Sequence, residues 1–382
     1  MNKHVSFVMI LIFISGTFVA TFNPVLAADG EDSWNTMAPM NQARSALGVV
    51  AVDGKIYAIG GSLTFGTANS ASNYLDTNEC YDSKSNTWTT LTSMPTPRQS
   101  FAIAACEGKI YCIGGYGYTE EKGLLDNLVV NEVYDIASDS WSTKTPLPIS
   151  GSNLQAQVVD EKIFVIVSRL LYVYDPVADS WTQKASLPKA SDSDPDSYSA
   201  VIDNQIIVIT YFDGALRVLI YDPTTDEWSE GKQDRNSSNN SSSFGSAVAV
   251  ATLGRFAPQK IYVLSGGSTI FFNPISYIAT YDPSSGTWEK VKEDPTPRMN
   301  FGVAVLDDVL YVIGGALLGT DGQIATSSIN EQYVPIGYNG TIFSDSDSPI
   351  ANKVLVGALV GATAAIVVLG VLLLIFKNKE KK

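Results

Sequence analysis

The 382-residue sequence predicts an all-β protein, a six-bladed β-propeller of four-stranded sheets, with one transmembrane helix near its C-terminus. Three observations carry this prediction. A tyrosine is followed seven residues later by a tryptophan in five places. A sixth tryptophan keeps the phase of the others but has no such tyrosine before it. Finally, 23 consecutive uncharged residues precede a lysine-rich end.

The repeated unit is a group of short strands. The five pairs are Tyr81–Trp88, Tyr134–Trp141, Tyr174–Trp181, Tyr221–Trp228 and Tyr281–Trp288. Before them lie paired apolar stretches around a tight turn, as in VVAVDGKIYAIGG (49–61), which is typical of a β-hairpin. Four strands in roughly 50 residues are typical of a propeller blade. A helical repeat is excluded because no segment between residues 34 and 338 sustains a 3.6-residue apolar period.

The sixth tryptophan, Trp34, predicts how the repeat closes. The distance from tryptophan to the acidic residue of the next hairpin turn is 19 residues for Trp34–Asp53, Trp88–Glu107, Trp141–Asp160 and Trp288–Asp307. Trp34 is therefore expected in a fourth strand, although no first three strands precede it. Near the other end, NEQYV (330–334) resembles the third strand NECYD (78–82), but no tryptophan follows Tyr333. Residues 33–37 should thus complete a sixth blade beside 330–335, which leaves the ring without an exposed edge.

The two ends have the composition of targeting and membrane segments. Lys3, an apolar run and the small-residue site Val25-Leu26-Ala27 are typical of a cleaved secretory signal, with an uncleaved anchor as the alternative. Residues 354–376 would form roughly 35 Å of helix, enough to cross a hydrocarbon core of about 30 Å. The predicted order is signal peptide 1–27, propeller 28–338, polar linker 339–353, transmembrane helix Val354–Phe376 and basic tail 377–382. The tail lysines favour a cytoplasmic C-terminus, so the propeller would lie outside the cytoplasm, on the cell membrane.

Charge and histidine content exclude several functions. Residues 28–352 contain 19 basic and 38 acidic residues, so this part of the chain would repel nucleic acid and anionic lipid headgroups. We interpret the excess of acidic residues mainly as a solvated surface. The single histidine, His4, lies in the predicted signal peptide. The mature chain would then have no histidine for a catalytic triad or a metal site. No cofactor and no metal are expected.

The three cysteines are expected to be buried thiols. In the hairpin around Glu107-Gly108, Cys112 should lie opposite Ile103, whereas Cys106 should lie opposite Lys109. A disulfide between Cys106 and Cys112 would therefore require a different strand register. A bond from Cys80 to one of the other two is the alternative.

The repeat resembles the kelch family. The residues that carry this resemblance are Gly60-Gly61, Gly114-Gly115, Gly266-Gly267, Gly314-Gly315, Pro97-Arg98, Pro297-Arg298 and the five Tyr–Trp spacings. It covers residues 34 to about 338, although units three and four lack the glycine pair. The resemblance implies an interaction scaffold that binds a protein or a carbohydrate. The alternative that it implies is a metal-independent sugar mutarotase or epimerase, similar to the sialic-acid mutarotases.

Three arginines form the first candidate site. Arg44, Arg98 and Arg298 each lie nine residues before the acidic turn residue of units one, two and six, which are neighbours in the predicted ring. One interpretation is a basic cluster at the channel mouth that binds a carboxylate or an acidic partner. The other is a structural contact within each blade. The same three units alone have a glutamate two residues before the third-strand tyrosine, namely Glu79, Glu132 and Glu331.

Variable loops on one face form the second candidate site, because rigid scaffolds carry recognition on such loops. The loop aromatics Tyr116, Tyr118 and Tyr211 are candidates for ligand contacts, with packing onto the loops as the alternative. Asp192, Asp194 and Asp196 alternate as in some calcium loops, but the glycine and distal glutamate of an EF-hand are missing, which favours a solvated acidic loop. Glycosylation sequons begin at Asn236, Asn239, Asn240 and Asn339.

Overall fold

The computed structural model describes residues 30–64, 70–119, 124–188, 197–212, 215–232, 247–265, 277–319 and 321–340. The predicted signal peptide, transmembrane helix and basic tail lie outside these residues, as do the aspartates 192–196, the sequons at 236, 239 and 240, and Gly266-Gly267. Within the described ranges, no helix is both long enough and apolar enough to cross a membrane. The described residues form an all-β fold with six four-stranded antiparallel sheets.

Strands are numbered along the chain, and the sheets are numbered by the order of their first strands. Sheet one contains β2 (Gly48–Val52), β3 (Lys55–Ile59), β4 (Asn78–Asp82) and β5 (Thr87–Leu91). Sheet two contains β7 (Ala102–Cys106), β8 (Lys109–Ile113), β11 (Asn131–Asp135) and β12 (Ser140–Lys144). Sheet three contains β13 (Gln155–Val159), β14 (Lys162–Val167), β15 (Leu170–Asp175) and β16 (Ser180–Lys184).

The remaining three sheets repeat this order with one exception. Sheet four contains β17 (Ser197–Ile202), β18 (Gln205–Phe212), β19 (Ala215–Asp222) and β20 (Glu227–Glu230). Sheet five contains β21 (Ala247–Ala251), β22 (Ile261–Ser265), β23 (Tyr277–Asp282) and β24 (Thr287–Lys290). Sheet six contains β25 (Gly302–Leu306), β26 (Val309–Ile313), β29 (Asn330–Val334) and, as its fourth strand, β1 (Ser33–Met37) from the other end of the chain.

The two middle strands of each sheet are buried on both faces, which explains their continuous apolar runs. Ile56 through Ile59 in β3 and Ile110 through Ile113 in β8 are all buried, because neighbouring sheets cover both sides. The run in β3 ends at a place where a side chain would not fit. Gly60 has a φ of 61°, and a Cβ there would lie 2.7 Å from the carbonyl oxygen of Arg98.

Strand β1 pairs with β29 in the register that the tryptophan phase predicts. Trp34 lies opposite Tyr333, and their rings are 5.1 Å apart. The other five Tyr–Trp pairs also lie opposite one another, with ring centroids 4.9 to 5.1 Å apart. Because Ser33 lies opposite Val334, β1 begins and β29 finishes at the same end of sheet six.

Successive sheets pack face to face. The first strand of each sheet contacts the first strand of the next, and β25 of sheet six contacts β2 of sheet one. A cluster of buried apolar side chains fills each of these junctions. Each tryptophan also donates its indole N–H to a backbone carbonyl in the segment that follows the preceding sheet. The acceptors are Lys292 for Trp34, Ala38 for Trp88, Thr92 for Trp141, Thr145 for Trp181, Ala185 for Trp228 and Lys232 for Trp288.

Two segments predicted as loops contain strands. In unit two, β9 (Tyr116–Thr119) pairs with β10 (Leu124–Asn127) and with β6 (Arg98–Gln99). In unit six, β27 (Ala316–Leu318) pairs with β28 (Ile324–Thr326). Each hairpin follows the glycine pair after a second strand and forms a small sheet separate from the four-stranded sheets.

The cysteine prediction is confirmed. Cys112 lies opposite Ile103 and Cys106 lies opposite Lys109. Cys80, Cys106 and Cys112 are buried and free. Burial raises the pKa of Cys112 to about 12, so this thiol is unreactive at neutral pH.

Candidate partner-binding face

The two sides of the molecule differ in their connections. The turn face carries the short turns that join first to second strands and third to fourth strands. The loop face carries the segments between sheets and those between second and third strands. The acidic residues of the turn face include Asp53, Asp82, Glu107, Asp135, Asp160, Glu161, Asp175, Asp203, Asp222, Asp282 and Asp307. Positive φ angles at several of these positions suit the tight turns.

The three candidate arginines are buried and paired with the glutamates of their own sheets. The exposed fractions of Arg44, Arg98 and Arg298 are 0%, 0% and 1%. Arg44 pairs with Glu79, Arg98 with Glu132 at 2.6 Å, and Arg298 with Glu331 at 2.6 Å. The structural interpretation therefore applies, and the assignment of Arg44, Arg98 and Arg298 as ligand-binding residues is wrong. A guanidinium without access to solvent cannot meet a partner's carboxylate at the channel mouth.

Each arginine connects the segment before a sheet to that sheet. Arg98 also donates to the carbonyl oxygens of Thr96 at 3.2 Å and of Cys112 at 2.9 Å. Glu132 in turn accepts from the hydroxyl of Thr96 at 2.7 Å. This network satisfies backbone groups of the inter-sheet segment that packing would otherwise leave buried without partners.

The candidate tyrosines separate into three cases. Tyr118 lies in β9 and is 41% exposed, so it is available to a partner. Tyr116 is partly buried, and its ring lies 5.9 Å from that of the buried Tyr74 of unit one. Tyr211 lies in β18 opposite Leu216, so its prediction as a loop residue is wrong because β18 and β19 continue as a hairpin up to Phe212.

The loop face has a group of exposed apolar side chains that Tyr118 belongs to. We call this group the apolar crescent. Its residues come from the loops of sheets six, one and two and from the segment leading to sheet three: Leu318, Leu63, Tyr118, Leu124, Val129 and Ile149. Their exposed fractions lie between 38% and 49%. Soluble proteins seldom gather large apolar side chains on one exposed surface unless it binds something.

The loops that carry the apolar crescent contact one another and have little charge. Thr326 of unit six donates to the carbonyl oxygen of Leu63 of unit one at 3.3 Å, and the Tyr74–Tyr116 ring contact joins the loops of units one and two. In the described parts of 62–77, 116–130, 145–154 and 316–329, the charged residues are Asp76, Asp126 and Asp321. Among the described residues, the loops of the crescent thus carry little charge, on a chain whose net charge is −14.

The apolar crescent is the main feature that sequence reasoning missed. Its signal is visible in the stretches SLTFGTANSASNYL (62–75) and TPLPISGSNL (145–154), which contain no charged residue in a chain that is 17% charged. A second missed signal is an Asp or Asn two residues before most tryptophans. Asp32, Asn86, Asp139, Asp179 and Asp226 each accept a hydrogen bond from the tyrosine of their sheet.

One of these carboxylates shows how the sheets are joined. Asp139 accepts from the hydroxyl of Tyr134 at 2.6 Å and from the backbone N–H of Thr92 at 3.0 Å, which belongs to the preceding unit. Because both bonds favour the charged form, they hold the pKa of Asp139 below its ordinary value. Its role is therefore structural. Across the described ranges, no group of histidine, cysteine or acidic residues is arranged to hold a metal ion.

Comparisons with known proteins place this arrangement among repeat proteins. Residues 33–255 match the model of the FKB95 kelch-repeats domain. Kelch-like protein 35 of Mus musculus is 28% identical over 155 residues, which cover 41% of this chain and 25% of that protein. Kelch-like protein 26 of Danio rerio is 28% identical over 261 residues, covering 68% and 33%. Alpha-scruin of Limulus polyphemus is 34% identical over 152 residues, covering 39% and 16%.

A solved structure shares the fold. The structure titled "Structure of YjhT" superimposes with a TM-score of 0.59 at 15% identity, covering 77% of this chain and 95% of that chain. At this identity, the likeness concerns the fold alone. The chain spans a third or less of the length of the three relatives named above.

Proposed function

Because the chain belongs to the kelch-repeat family, we propose that its propeller is a scaffold that binds another protein through the loop face of sheets six, one and two. The single observation that carries this proposal is the apolar crescent, six exposed apolar side chains on the loops of one face. On binding, apolar side chains of the partner would be buried against Leu63, Tyr118 and their neighbours. The removal of this apolar area from water drives such association. The central aromatic residue, Tyr118, is the best candidate for a residue with a large share of the binding energy.

A protein suits this surface better than a carbohydrate. Five of the six residues of the apolar crescent are aliphatic, and Tyr118 is its single aromatic residue. Sugars present hydroxyl groups, which need hydrogen-bond partners, and C–H faces, which pack on flat aromatic rings. Leucine, isoleucine and valine side chains offer neither.

The proposed scaffold is a six-bladed ring closed by β1. Three features support it: the pairing of β1 with β29, the contact of β25 with β2, and the indole hydrogen bond from Trp88 to Ala38 at the junction of sheets six and one. A ring of this kind has no free end at which the sheets can separate, so the loops of sheets six, one and two stay in fixed relation. That rigidity lowers the entropy cost of binding.

The proposed location is the cell surface, with the chain anchored by residues 354–376 and the propeller outside the cytoplasm. Both ends of the described chain leave sheet six at the turn face, since Ser33 lies opposite Val334. An anchor that follows residue 340 would therefore join the turn face, and the apolar crescent would point away from the membrane. The turn face is acidic and would be repelled by anionic headgroups, so only the linker 339–353 would hold it near the membrane.

The mutarotase alternative has no observation in its favour among the described residues. Arg44, Arg98 and Arg298, which could have bound a sugar carboxylate, are engaged with glutamates of their own sheets. A purified full-length chain that accelerates anomer exchange in a sugar panel would support this alternative. The same chain would then be expected to show no crescent-dependent protein partner.

Charge substitutions in the apolar crescent test the proposed function. We expect the double variant Leu63→Glu/Tyr118→Glu to weaken binding of a partner by roughly 30-fold or more, since loss of a central contact costs about 2 kcal/mol. The partner is obtained by crosslinking on intact cells and affinity capture of the full-length chain, then purified and titrated against each variant. Candidates are accepted only if the purified partner binds the purified wild-type chain directly.

The matched control is Val177→Glu. Val177 is 87% exposed but lies in the β15–β16 turn on the opposite face. This variant adds a charge without touching the crescent, so it should retain full affinity. A partner that binds the double variant normally, or that is lost with Val177→Glu, would contradict the proposed face.

A further inference from the structure

Sheet six differs from sheets one and two at one buried position. The residue four before the buried arginine is Met40 in front of sheet one and Met94 in front of sheet two, but Asp294 in front of sheet six. Met40 and Met94 are 3% and 1% exposed, and Asp294 is 9% exposed. A carboxylate thus occupies a place that the other two arginine-containing units fill with an apolar side chain.

Asp294 accepts hydrogen bonds that would otherwise be available to Glu331. Nη2 of Arg298 donates to Glu331 at 2.6 Å but also lies 3.4 Å from Asp294. In sheet two, the backbone N–H and the hydroxyl of Thr96 both donate to Glu132, at 3.3 and 2.7 Å. In sheet six, the hydroxyl of Thr296 still donates to Glu331 at 2.8 Å, but its N–H donates to Asp294 at 2.7 Å.

The charges around Glu331 do not balance when both carboxylates are ionised. The charged groups that act on it are Arg298 and Asp294, both from the segment before β25. The strands beside β29 place the uncharged residues Val312 and Thr36 opposite Glu331. Sheet five contributes Leu264, Ser265 and Ile278 to the small cavity beside Asp294 and Arg298. One guanidinium therefore faces two carboxylates, which leaves a net negative charge largely shielded from solvent.

We propose that Asp294, Arg298 and Glu331 form a proton-operated latch, in which a proton on Glu331 keeps β29 and β1 firmly paired and its release loosens them. The strand that loosens is the one through which the two ends of the chain meet, because Glu331 lies in β29 directly opposite Thr36 of β1. The latch is independent of the apolar crescent and of any partner. Sheets one and two, with a single carboxylate each, do not contain it.

The direction of the pH effect follows from the folded-state pKa. Burial is the largest cause, Arg298 opposes it and Asp294 adds to it, and together they raise the pKa of Glu331 from its ordinary 4.5 to about 7. An acid whose folded pKa is raised adds stability that is fully present below the unfolded pKa and is lost as the pH rises through the folded pKa. The contribution of Glu331 to the stability of sheet six should therefore be greatest below about pH 4.5 and should be lost by about pH 7.

Hydrogen exchange of the full-length chain tests the latch. Exchange is measured by mass spectrometry between pH 5 and pH 8 and corrected for the intrinsic rate at each pH. In the wild type we expect protection of residues 33–37 and 330–334 to fall by a factor on the order of 100 over this range. Asp294→Asn is isosteric and keeps an acceptor for the N–H of Thr296, so its protection should stay constant within a few-fold.

The reciprocal variant supplies the matched control. Met94→Asp places the second carboxylate beside Arg98 and Glu132, so residues 131–135 of sheet two should acquire the pH dependence that the wild type shows in sheet six. Equal pH dependence of the wild type and Asp294→Asn in sheet six would overturn the latch. If Asp294→Asn does not fold, Met94→Asp decides, since unchanged protection of 131–135 between pH 5 and pH 8 would reject the mechanism.

Discussion

Replacing Glu132 with alanine is expected to lower the free energy of unfolding by about 3–5 kcal/mol, because it leaves the buried guanidinium of Arg98 without a counterion. The side chain of Arg98 has no exposed surface and that of Glu132 has 4%. Water therefore cannot replace the lost carboxylate. The measurement is equilibrium urea unfolding of the full-length chain, followed by tryptophan fluorescence, which reports the tilted Tyr–Trp ring contacts of the sheets.

Two further variants separate the buried charge from other effects. Glu289→Ala removes an exposed pair, since Glu289 is 57% exposed and 2.6 Å from Lys260, and should cost less than about 1 kcal/mol. The double variant Arg98→Met/Glu132→Leu removes both charges. Sheets three, four and five already have Tyr172, Leu219 and Ala279 at the glutamate position, all buried. We therefore expect the double variant to recover at least half of the stability that Glu132→Ala loses.

A loss below about 1 kcal/mol for Glu132→Ala would contradict the buried pairing. So would a double variant that is less stable than the single one. Either result would indicate that Arg98 reaches water, and the basic-cluster interpretation of Arg44, Arg98 and Arg298 would then return. The double-variant comparison is the stricter of the two, because it separates an unpaired charge from a lost packing contact.

The repeat phase predicted most of the fold because it is set by contacts within one sheet. Tyr81 and Trp88 lie opposite each other across a short turn, so their spacing along the chain fixes the hairpin they form. Trp34 keeps the same distance to the following hairpin as Trp88, Trp141 and Trp288, and that distance depends on the path between sheets. The position of β1 beside β29 could thus be predicted from counting residues, although 299 positions separate Trp34 from Tyr333.

The candidate site was predicted less well, because exposure is decided by contacts that the repeat does not encode. The joint occurrence of Arg98 with Glu132 pointed to a pair, but the alternative of a free cluster stayed open until burial was known. The hairpin β9–β10 pairs with β6, a two-residue strand that has no apolar alternation to indicate it. That pairing holds Tyr118 at the surface and brings Tyr116 to Tyr74, so two similar loop tyrosines have different environments.

Asp294 shows a different limit of sequence reasoning. Asp294 lies four residues before an arginine, as Met40 and Met94 do. A single aspartate in an acidic chain, however, gives no reason to expect that it is buried. Internal repeats provide the comparison that is needed here. A charged residue at a position where sister units have methionine departs from the repeat, and such departures are the places where a unit has acquired its own property.

Deleting β1 is expected to have the largest effect of all. A variant that lacks residues 30–37 would leave β29 as an unpaired edge and uncover Tyr333 and Val334, both of which have no exposed surface. It would also remove the hydrogen bonds from Trp34 to Lys292 and from Tyr333 to Asp32. We expect the free energy of unfolding to fall by at least about 5 kcal/mol, since loss of a tryptophan contact alone costs up to that amount when it is fully buried.

A peptide supplied in trans distinguishes strand pairing from general damage. A synthetic peptide of residues 30–40, added to the deletion variant, should restore the unfolding midpoint by adding a strand to β29. The same peptide with Trp34→Ser and Met37→Ser should not, because these two side chains pack into the cores on either side of sheet six. Trp34→Ala in the intact chain keeps the backbone pairing and should cost less than about 3 kcal/mol, since this side chain is only partly buried. A deletion variant as stable as the wild type, or equal rescue by both peptides, would contradict closure of the ring by the N-terminal strand.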